Sequence, residues 1–464
     1  MIRASILILL VTLIQAKDLR VDQAWELVQE RNDGLKASKS SVKHSETIKE
    51  GASSMMYMPS IDLHGSYTHL SKPIDLDLSE PINGAIGDIN SLFASLPVPL
   101  PPISSVSQDD ATVNLSEQDV FLANISILWP IFAGGKTLYL SDMADAQIEA
   151  EKSKQELTRQ KTFIQLVKYY YGAEMGRVYY QTRIEVEEVF KKHFEHAQKL
   201  QEEGQIAKVE LLNAQVQYDK ATTETVKAHH KLTIATSALR MLLKEQDVNV
   251  TSPLFVNENI KDKNYYVKRA VENYPALHLL EAKRKQTESV VGMERANYMP
   301  TVVAFGNYNL YRDDSIISKS APDWFAGVAV NINLLSATGR SEKYEAAKIV
   351  NQQLVLLQQQ AKQDLSILVE MTYNEVILYL DEYKAIDSSL AMAEENVKLR
   401  RIAFSSGLST SLELNDAELF LAAKKTERLK VAYDYVQKLS YLMILSESSE
   451  RFMEMAANGE EVER

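Results

Sequence analysis

The 464-residue sequence contains no cysteine. Disulfides, thiol catalysis and thiolate metal sites are therefore excluded, and so is an N-terminal lipid-modified cysteine. Beyond the first 16 residues no run of about 18 uninterrupted apolar residues occurs, the length a membrane-spanning helix requires. Such a chain crosses a membrane only as a closed β-barrel, because no other structure satisfies its backbone without water. Basic charge is in deficit: 51 Lys and Arg stand against 63 Asp and Glu, a formal net charge of −12. That balance gives no support for a nucleic-acid footprint, which needs a basic face. Glycine is sparse at 16 residues, while hydrophobic residues reach 45%, enough for a large core.

The N-terminus reads as a secretory signal peptide. Arg3 supplies a short positive region, residues 6–14 are apolar except for Thr12, and Ala16 is a small residue placed for cleavage. The stretch is too short to span a bilayer, so the mature chain is expected to start near Lys17.

The chain is written twice. Tyr57-Met58-Pro59-Ser60 leads to Gly65-Ser66-Tyr67, and Tyr298-Met299-Pro300-Thr301 leads to Gly306-Asn307-Tyr308 at the same spacing. Ala133-Gly134-Gly135-Lys136 matches Ala337-Thr338-Gly339-Arg340. Gly204-Gln205-Ile206-Ala207 through Leu211 matches Gly407-Leu408-Ser409-Thr410 through Leu414, and both continue to an alanine, Ala214 and Ala417. A duplication of this kind overrides the prior of about three domains that length alone suggests. The first half is longer between its proline and glycine markers. The excess falls in residues 71–117, where prolines concentrate, and that stretch reads as one long irregular loop. Residues 312–323 are its short counterpart.

No proline occurs at 131–252 or after 322, which leaves both stretches free to be helical. Met143, Ala150, Leu157, Ile164, Tyr171 and Val178 recur every seven residues, as expected of a packed helical seam. Ala347, Leu354, Ala361 and Leu368 repeat the idea more weakly. Each half therefore predicts helix, strand, loop, strand, long helix, turn, helix. The helices are expected at residues 21–56, 138–203 and 209–245, and again at 263–298, 341–405 and 412–446. The longest would measure roughly 100 Å at about 1.5 Å per residue, which two half-length helices end to end can cover.

The strands alternate. Ile61, Leu63, Gly65 and Tyr67 interleave with Asp62, His64, Ser66 and Thr68. Phe121, Ala123, Ile125, Ile127 and Trp129 interleave with Leu122, Asn124, Ser126 and Leu128. Trp324 to Leu334 follows the same pattern. Period two with one apolar face and aromatic ends fits membrane barrel strands, and a soluble β-sandwich edge is the plainer alternative. Four strands cannot close a barrel, for which about eight is the practical minimum. The chain must oligomerise, and three copies would supply 12 strands.

No chemistry of catalysis stands out. Gly135-Lys136-Thr137 resembles the end of a phosphate-binding loop, but the loop needs another glycine where Pro130 stands. His193 and His196 lie three apart without a second ligand cluster and are expected on a solvated helix surface. His229 and His230 are adjacent, so their rings diverge. The chain is read as a non-enzyme with no metal and no cofactor.

The order of elements, the paired Tyr-Met-Pro helix ends, the strand closing at Trp129-Pro130-Ile131-Phe132-Ala133-Gly134-Gly135 and the turns at Gly204 and Gly407 resemble the TolC family of outer-membrane efflux proteins. The resemblance covers nearly the whole mature chain. It implies a mainly α fold with a small β part. Duplicated halves would form a long periplasmic α-helical barrel and an outer-membrane β-barrel closed in a homotrimer. It also implies a Gram-negative outer membrane, docking to a periplasmic adaptor and an inner-membrane pump, and no nucleic-acid partner. The expected organisation is a signal peptide at 1–16, a first repeat at 17–246, an equatorial linker at 247–262, a second repeat at 263–446, and a C-terminal equatorial segment with an acidic tail at 447–464.

The resemblance also assigns sites. Gly204, Gln205, Ile206, Ala207, Gly407 and Leu408 form the turns that would dock the adaptor. Glu413 and Asp416 share a helical face and correspond to acidic pore-lining positions, whereas without the resemblance they read as solvated surface acids. Three copies would stack two carboxylate rings, which repel one another, attract cations and raise their own proton affinity. In the family a tyrosine and an arginine commonly flank the second turn and help hold the tunnel closed. Phe404 and Ser409 occupy those positions here and are expected to be unable to make the same polar links. The leading expectation is the passive exit duct of a tripartite efflux system. A duct for type I protein secretion and a poreless periplasmic coiled-coil scaffold are the alternatives.

Overall fold

A computed structural model describes residues 17–95, 101–312, 316–335, 337–406 and 408–462. The expected signal peptide at 1–16 and Gly407 lie outside the described residues. The first half runs β1 (Lys17–Leu19), α1 (Val21–Arg31), α2 (Asp33–Tyr57), β2 (Ser60–His69), β3 (Ile74–Asp77), α3 (Ser79–Ala94), α4 (Gln108–Ala111), β4 (Thr112–Ser116), β5 (Asp119–Ala133), α5 (Lys136–Glu202), α6 (Lys208–Leu243) and β6 (Val248–Val250). The second runs β7 (Phe255–Val256), α7 (Lys263–Asn273), α8 (Pro275–Ala296), β8 (Thr301–Tyr311), α9 (Ile316–Ser320), β9 (Trp324–Asn331), α10 (Arg340–Ser405), α11 (Ser411–Ser446), α12 (Ser449–Ala457) and β10 (Glu460–Glu461). The chain is 70% helical with a small β part, the mainly α, duplicated fold that the sequence predicts.

Two compact units partition these elements. The first comprises Met1–Glu46, Ala146–Lys285 and Gln352–Arg464. Its core gathers Trp25, Phe163, Tyr170, Tyr171, Phe255 and Phe452. Trp25 meets Phe163 edge-on at 5.0 Å, and Phe452 meets Phe163 and Phe255 at 5.6 and 5.7 Å, the geometry aromatic quadrupoles prefer. Two short pairings bind this core, β1 parallel to β6 and β7 antiparallel to β10. The buried Tyr170 hydroxyl donates to the Leu19 carbonyl at 2.7 Å and accepts from the Thr251 and Ser252 amides. Tyr435 donates to the Asn257 carbonyl at 2.6 Å. Each tyrosine thus adds a side-chain bond to backbone of the 251–257 segment, and Tyr170 also ties it to Leu19.

The seam on α5 is core in part. Ala150 and Tyr171 are buried, while Met143, Leu157, Ile164 and Val178 are half-buried. On α10 the buried line moves one position from Leu368 to Val369, Val376 and Tyr383. A helix with 3.6 residues per turn drifts against a strict seven-residue repeat, so the buried residue steps forward after a few heptads.

Two expected helices are each broken once. The 21–56 segment divides at Asn32, whose backbone turns extended and whose side chain accepts from the Leu35 amide at 3.1 Å, starting α2. The 263–298 segment divides at Tyr274, also extended. Pro275 disfavours the helical conformation at the residue before it and suits the first helical position after it.

The second unit comprises Thr47–Asp145 and Gln286–Asn351. Its centre is an antiparallel sheet in the order β2-β5-β8-β9. The register sets Ile61, Leu63, Gly65 and Tyr67 opposite Ile127, Ile125, Ala123 and Phe121. Ile125, Ile127 and Trp129 then face Tyr308, Gly306 and Ala304, and these face Trp324, Ala326 and Val328. One face is therefore apolar across all four strands, and it is exposed, with Leu63 at 71% and Val330 at 67%. β5 tolerates Pro130 because its register with β8 shifts between Pro130 and Phe132. β9 stops at Asn331, short of the expected Leu334.

Residues 71–117 are not the irregular loop expected from their prolines. Ile74–Asp77 pairs antiparallel with Thr112–Ser116, and α3 fills much of the interval. Asn83 and Asn90, two helical turns apart, each clasp a backbone on both sides. Asn83 pairs with the N–H and C=O of Val106 at 2.7 and 2.8 Å, and Asn90 does so with Ile103 at the same distances. The two amides supply the extended segment with the backbone partners a strand would give it.

Candidate functional site

The turn between α5 and α6 closes in a Schellman motif. Gly204 takes φ +72°, its N–H donates to Gln201 O at 3.0 Å, and Gln205 N–H donates to Leu200 O at 2.7 Å. Glycine enters this left-handed region without steric penalty. The outer bond recurs between α10 and α11, where Leu408 N–H donates to Ala403 O at 2.8 Å. Gln205, Ala207 and Leu408 are exposed and Ile206 is half-buried.

The two turns start their following helices differently. α6 begins at Ala207 with no side-chain cap. α11 begins with a capping box, in which Thr410 Oγ1 accepts from the Glu413 amide and the Glu413 carboxylate accepts from the Thr410 amide, both at 3.2 Å. The Glu413 carboxylate also accepts from Ser409 Oγ at 2.6 Å and from Arg400 Nη1 at 3.1 Å. Ser409, expected not to make the polar links of the family arginine, makes a local one, its hydroxyl donating to Glu413. The Ser409 hydroxyl, then the Thr410 amide and the Arg400 charge, hold the Glu413 carboxyl below its ordinary range. Within one chain the local contacts therefore act against the rise in proton affinity expected of clustered carboxylates. Asp416 is exposed.

Three residues at this end were not singled out by sequence. Arg401 pairs with Glu418 at 2.6 Å, and the Glu418 side chain is only 10% exposed. With Arg400 on Glu413, two adjacent arginines of α10 grip two acids of α11. The Arg400-Arg401 pair just before the turn was the available signal. His193 is not on a solvated surface as expected. It is half-buried, and Phe404 lies edge-on to it at 6.0 Å and near His196 at 6.1 Å. Burial is the largest influence on His193 and lowers its pKa, with Glu418 opposing. Phe404 thus sits against both imidazoles.

The sheet carries a second candidate surface. On the face opposite the apolar one, His64 Nε2 lies 3.1 Å from Ser126 Oγ. Asn124 donates to Asn307, and Asn307 donates to Asn309 at 3.1 Å. A polar ladder therefore crosses three strands. Where the sheet hands over to the long helices, Gly134, Gly135 and Gly339 take φ +67°, +86° and +64°. A Cβ on Gly134 would stand 2.5 Å from the Ala296 carbonyl oxygen. No group of three or more His, Cys, Asp and Glu side chains able to hold a metal occurs among the described residues.

The chain thus combines a four-stranded sheet, apolar on one face and crossed by a polar ladder on the other, with pairs of long helices. A family model described as outer membrane efflux protein matches residues 51–243 and 266–445. The chain belongs to the outer membrane efflux protein family. Its fold is similar to that of CusC, with a TM-score of 0.73 at 16% identity and 93% of each chain covered. The CmeC outer membrane channel of Campylobacter jejuni gives a TM-score of 0.71 at 12% identity, covering 95% of this chain and 90% of that one. The outer membrane protein VceC of Vibrio cholerae gives 0.69 at 13% identity, covering 92% and 96%. No curated protein sequence matches the chain.

Proposed function

We propose that the chain forms, as a homotrimer, the passive exit duct of a tripartite efflux system in the outer membrane of a Gram-negative bacterium. The observation that carries this is the sheet register, which lines up an apolar row on one face of all four strands and a ladder of His, Ser and Asn on the other, where Leu122, Leu128, Phe305 and Phe325 also fall. An outward apolar band and a polar lumen are what a membrane barrel requires. Among the described residues β2 and β9 each have one edge without a partner strand, and four strands are too few to close. Three copies give 12 strands and remove every edge.

The repeats at 17–246 and 263–446 then supply a periplasmic helical duct, with residues 247–262 and 447–464 packed around its girth and 1–16 removed on export. The turns at Gly204 and Gly407, with Gln205, Ile206, Ala207 and Leu408, dock a periplasmic adaptor that links the duct to an inner-membrane pump for small molecules. Glu413 and Asp416 ring the entrance. Closure relies on the Arg400–Glu413 and Arg401–Glu418 pairs and on Phe404 against His193, in place of the tyrosine and arginine common in the family. Native mass spectrometry of detergent-solubilised protein should show one species at three times the mature mass, and the same preparation should conduct in a planar bilayer. A stable monomer, or a trimer without conductance, would refute the proposal.

A further inference from the structure

At the helix-bearing end of the sheet, a recess of about 370 Å³ opens among Lys136, Arg340, Lys343, Asn297, Asn331 and Asn333. Three of these side chains are cationic. The one acid on its wall, Glu294, accepts from Asn297 Nδ2 at 2.9 Å and forms no ion pair with the cations. Arg340 donates to the carbonyls of Asn297 and Asn333 at 3.2 and 2.7 Å and lies 4.0 Å over the Tyr298 ring. Its charge is positioned but not neutralised. Lys136 is the first residue of α5, and Arg340 and Lys343 are in the first turn of α10. The positive end of a helix dipole disfavours cations and favours an anion. Three cations gathered around one recess in this setting repel one another unless an anion sits between them.

The rim is apolar. Met299 is 44% exposed, and Leu334 and Leu335, next to Asn333, are 81% and 94% exposed. A ligand suited to both parts carries a phosphate and hydrocarbon chains. We infer that this recess binds the phosphate of an anionic phospholipid headgroup, with Lys136, Arg340 and Lys343 around the phosphate and Met299, Leu334 and Leu335 against the acyl chains. The inference rests on the membrane reading of the sheet, which sets the recess at the level of the periplasm-facing headgroups. Arginine forks and lysine point charges are the groups that bind phosphate. The site is unrelated to a nucleotide loop, because Pro130 stands where that loop needs glycine.

The test compares the full-length protein with Lys136→Gln/Lys343→Gln, leaving Arg340 with its structural bonds. Lys191→Gln/Lys192→Gln, near the other end of α5, is the control for lost charge. Each is released from nanodiscs of mixed phosphatidylglycerol and phosphatidylethanolamine, and retained lipid is counted by native mass spectrometry. Wild type and control should retain phosphatidylglycerol preferentially. The site variant should lose that preference by about five-fold per lysine, and Lys136→Arg/Lys343→Arg should restore it. Equal retention of both lipids by wild type, or an unchanged preference in the site variant, overturns the inference. Titration with inorganic phosphate and glycerol phosphate separates the sources, since tight binding of either soluble anion overturns the lipid assignment. Flotation with liposomes reads membrane embedding separately. Protein that does not float refutes the membrane reading and this inference together, whereas protein that floats without lipid preference refutes only the site.

Discussion

Replacing Glu413 with glutamine and Asp416 with asparagine removes two charges per chain while leaving the start of α11 intact. The reason lies in the capping box. The Glu413 side chain accepts from the Thr410 amide, and glutamine serves that position as well as glutamate. Alanine does not. Glu413→Gln/Asp416→Asn and Glu413→Ala/Asp416→Ala should therefore lose cation preference equally, while only the alanine pair frays the first turn of α11. The two acids are about 4.5 Å apart along the helix by rise. That is within the Debye length of about 8 Å at physiological salt and beyond the 3 Å at 1 M. Reversal potentials in a planar bilayer should thus show cation selectivity and multivalent block in wild type near 0.15 M salt, weakening toward 1 M, and neither in the two double variants. Thr410→Ala removes the cap and keeps both charges. It should cost about 1 kcal/mol locally, roughly a five-fold faster amide exchange at residues 411–414, with selectivity retained. The pH dependence follows in sign. The folded-state pKa of Glu413 lies below its ordinary value of 4.5. Its contribution to the turn is present above about pH 4.5 and is lost as pH falls through the lower folded value. Exchange at 411–414 should accelerate in that acid window in wild type and not in Glu413→Gln. Unchanged selectivity in the glutamine–asparagine variant would show that both acids are ordinary surface residues.

Three further outcomes follow. Gly134→Ala combines a left-handed φ with a Cβ 2.5 Å from the Ala296 carbonyl, and it should lower the yield of heat-resistant trimers on gels, whereas Gly65→Ala, which meets nothing within 4 Å, should not. Bulky or charged replacements at Gln205, Ile206, Ala207 and Leu408 should abolish export in a drug-susceptibility assay while trimers persist on native gels; normal export would remove the docking assignment. Protease applied to intact cells should cut in residues 71–117, and cutting there only after the outer membrane is opened would reverse the topology.

The duplication was visible in the sequence because both copies keep the same turn chemistry. Gly134 with Gly135, and Gly339, sit at left-handed φ where strand gives way to helix, and few residues other than glycine do so without strain. The strand faces were legible because side chains alternate with period two, and the register then aligned one apolar row across four strands. The long helices were legible because an uninterrupted interior excludes proline. Tertiary structure decided what local pattern leaves open. The break at Asn32 is the exception, a local cap in which Asn32 accepts from the Leu35 amide, and Asn-Asp-Gly in the sequence already carries that signal. The order within 71–117 depends on Asn83 and Asn90 reaching a backbone 23 and 13 residues away, a pairing with no period to read. The buried line on α10 shifted by one because drift accumulates only along a real helix. Glu413 looked like a free acid because sequence shows spacing but not partners, and it is the α10–α11 hairpin that brings Arg400 to it. Charges on neighbouring elements, such as Lys136 and Arg340 around their shared recess, become a site only when the chain folds, since more than two hundred residues separate them.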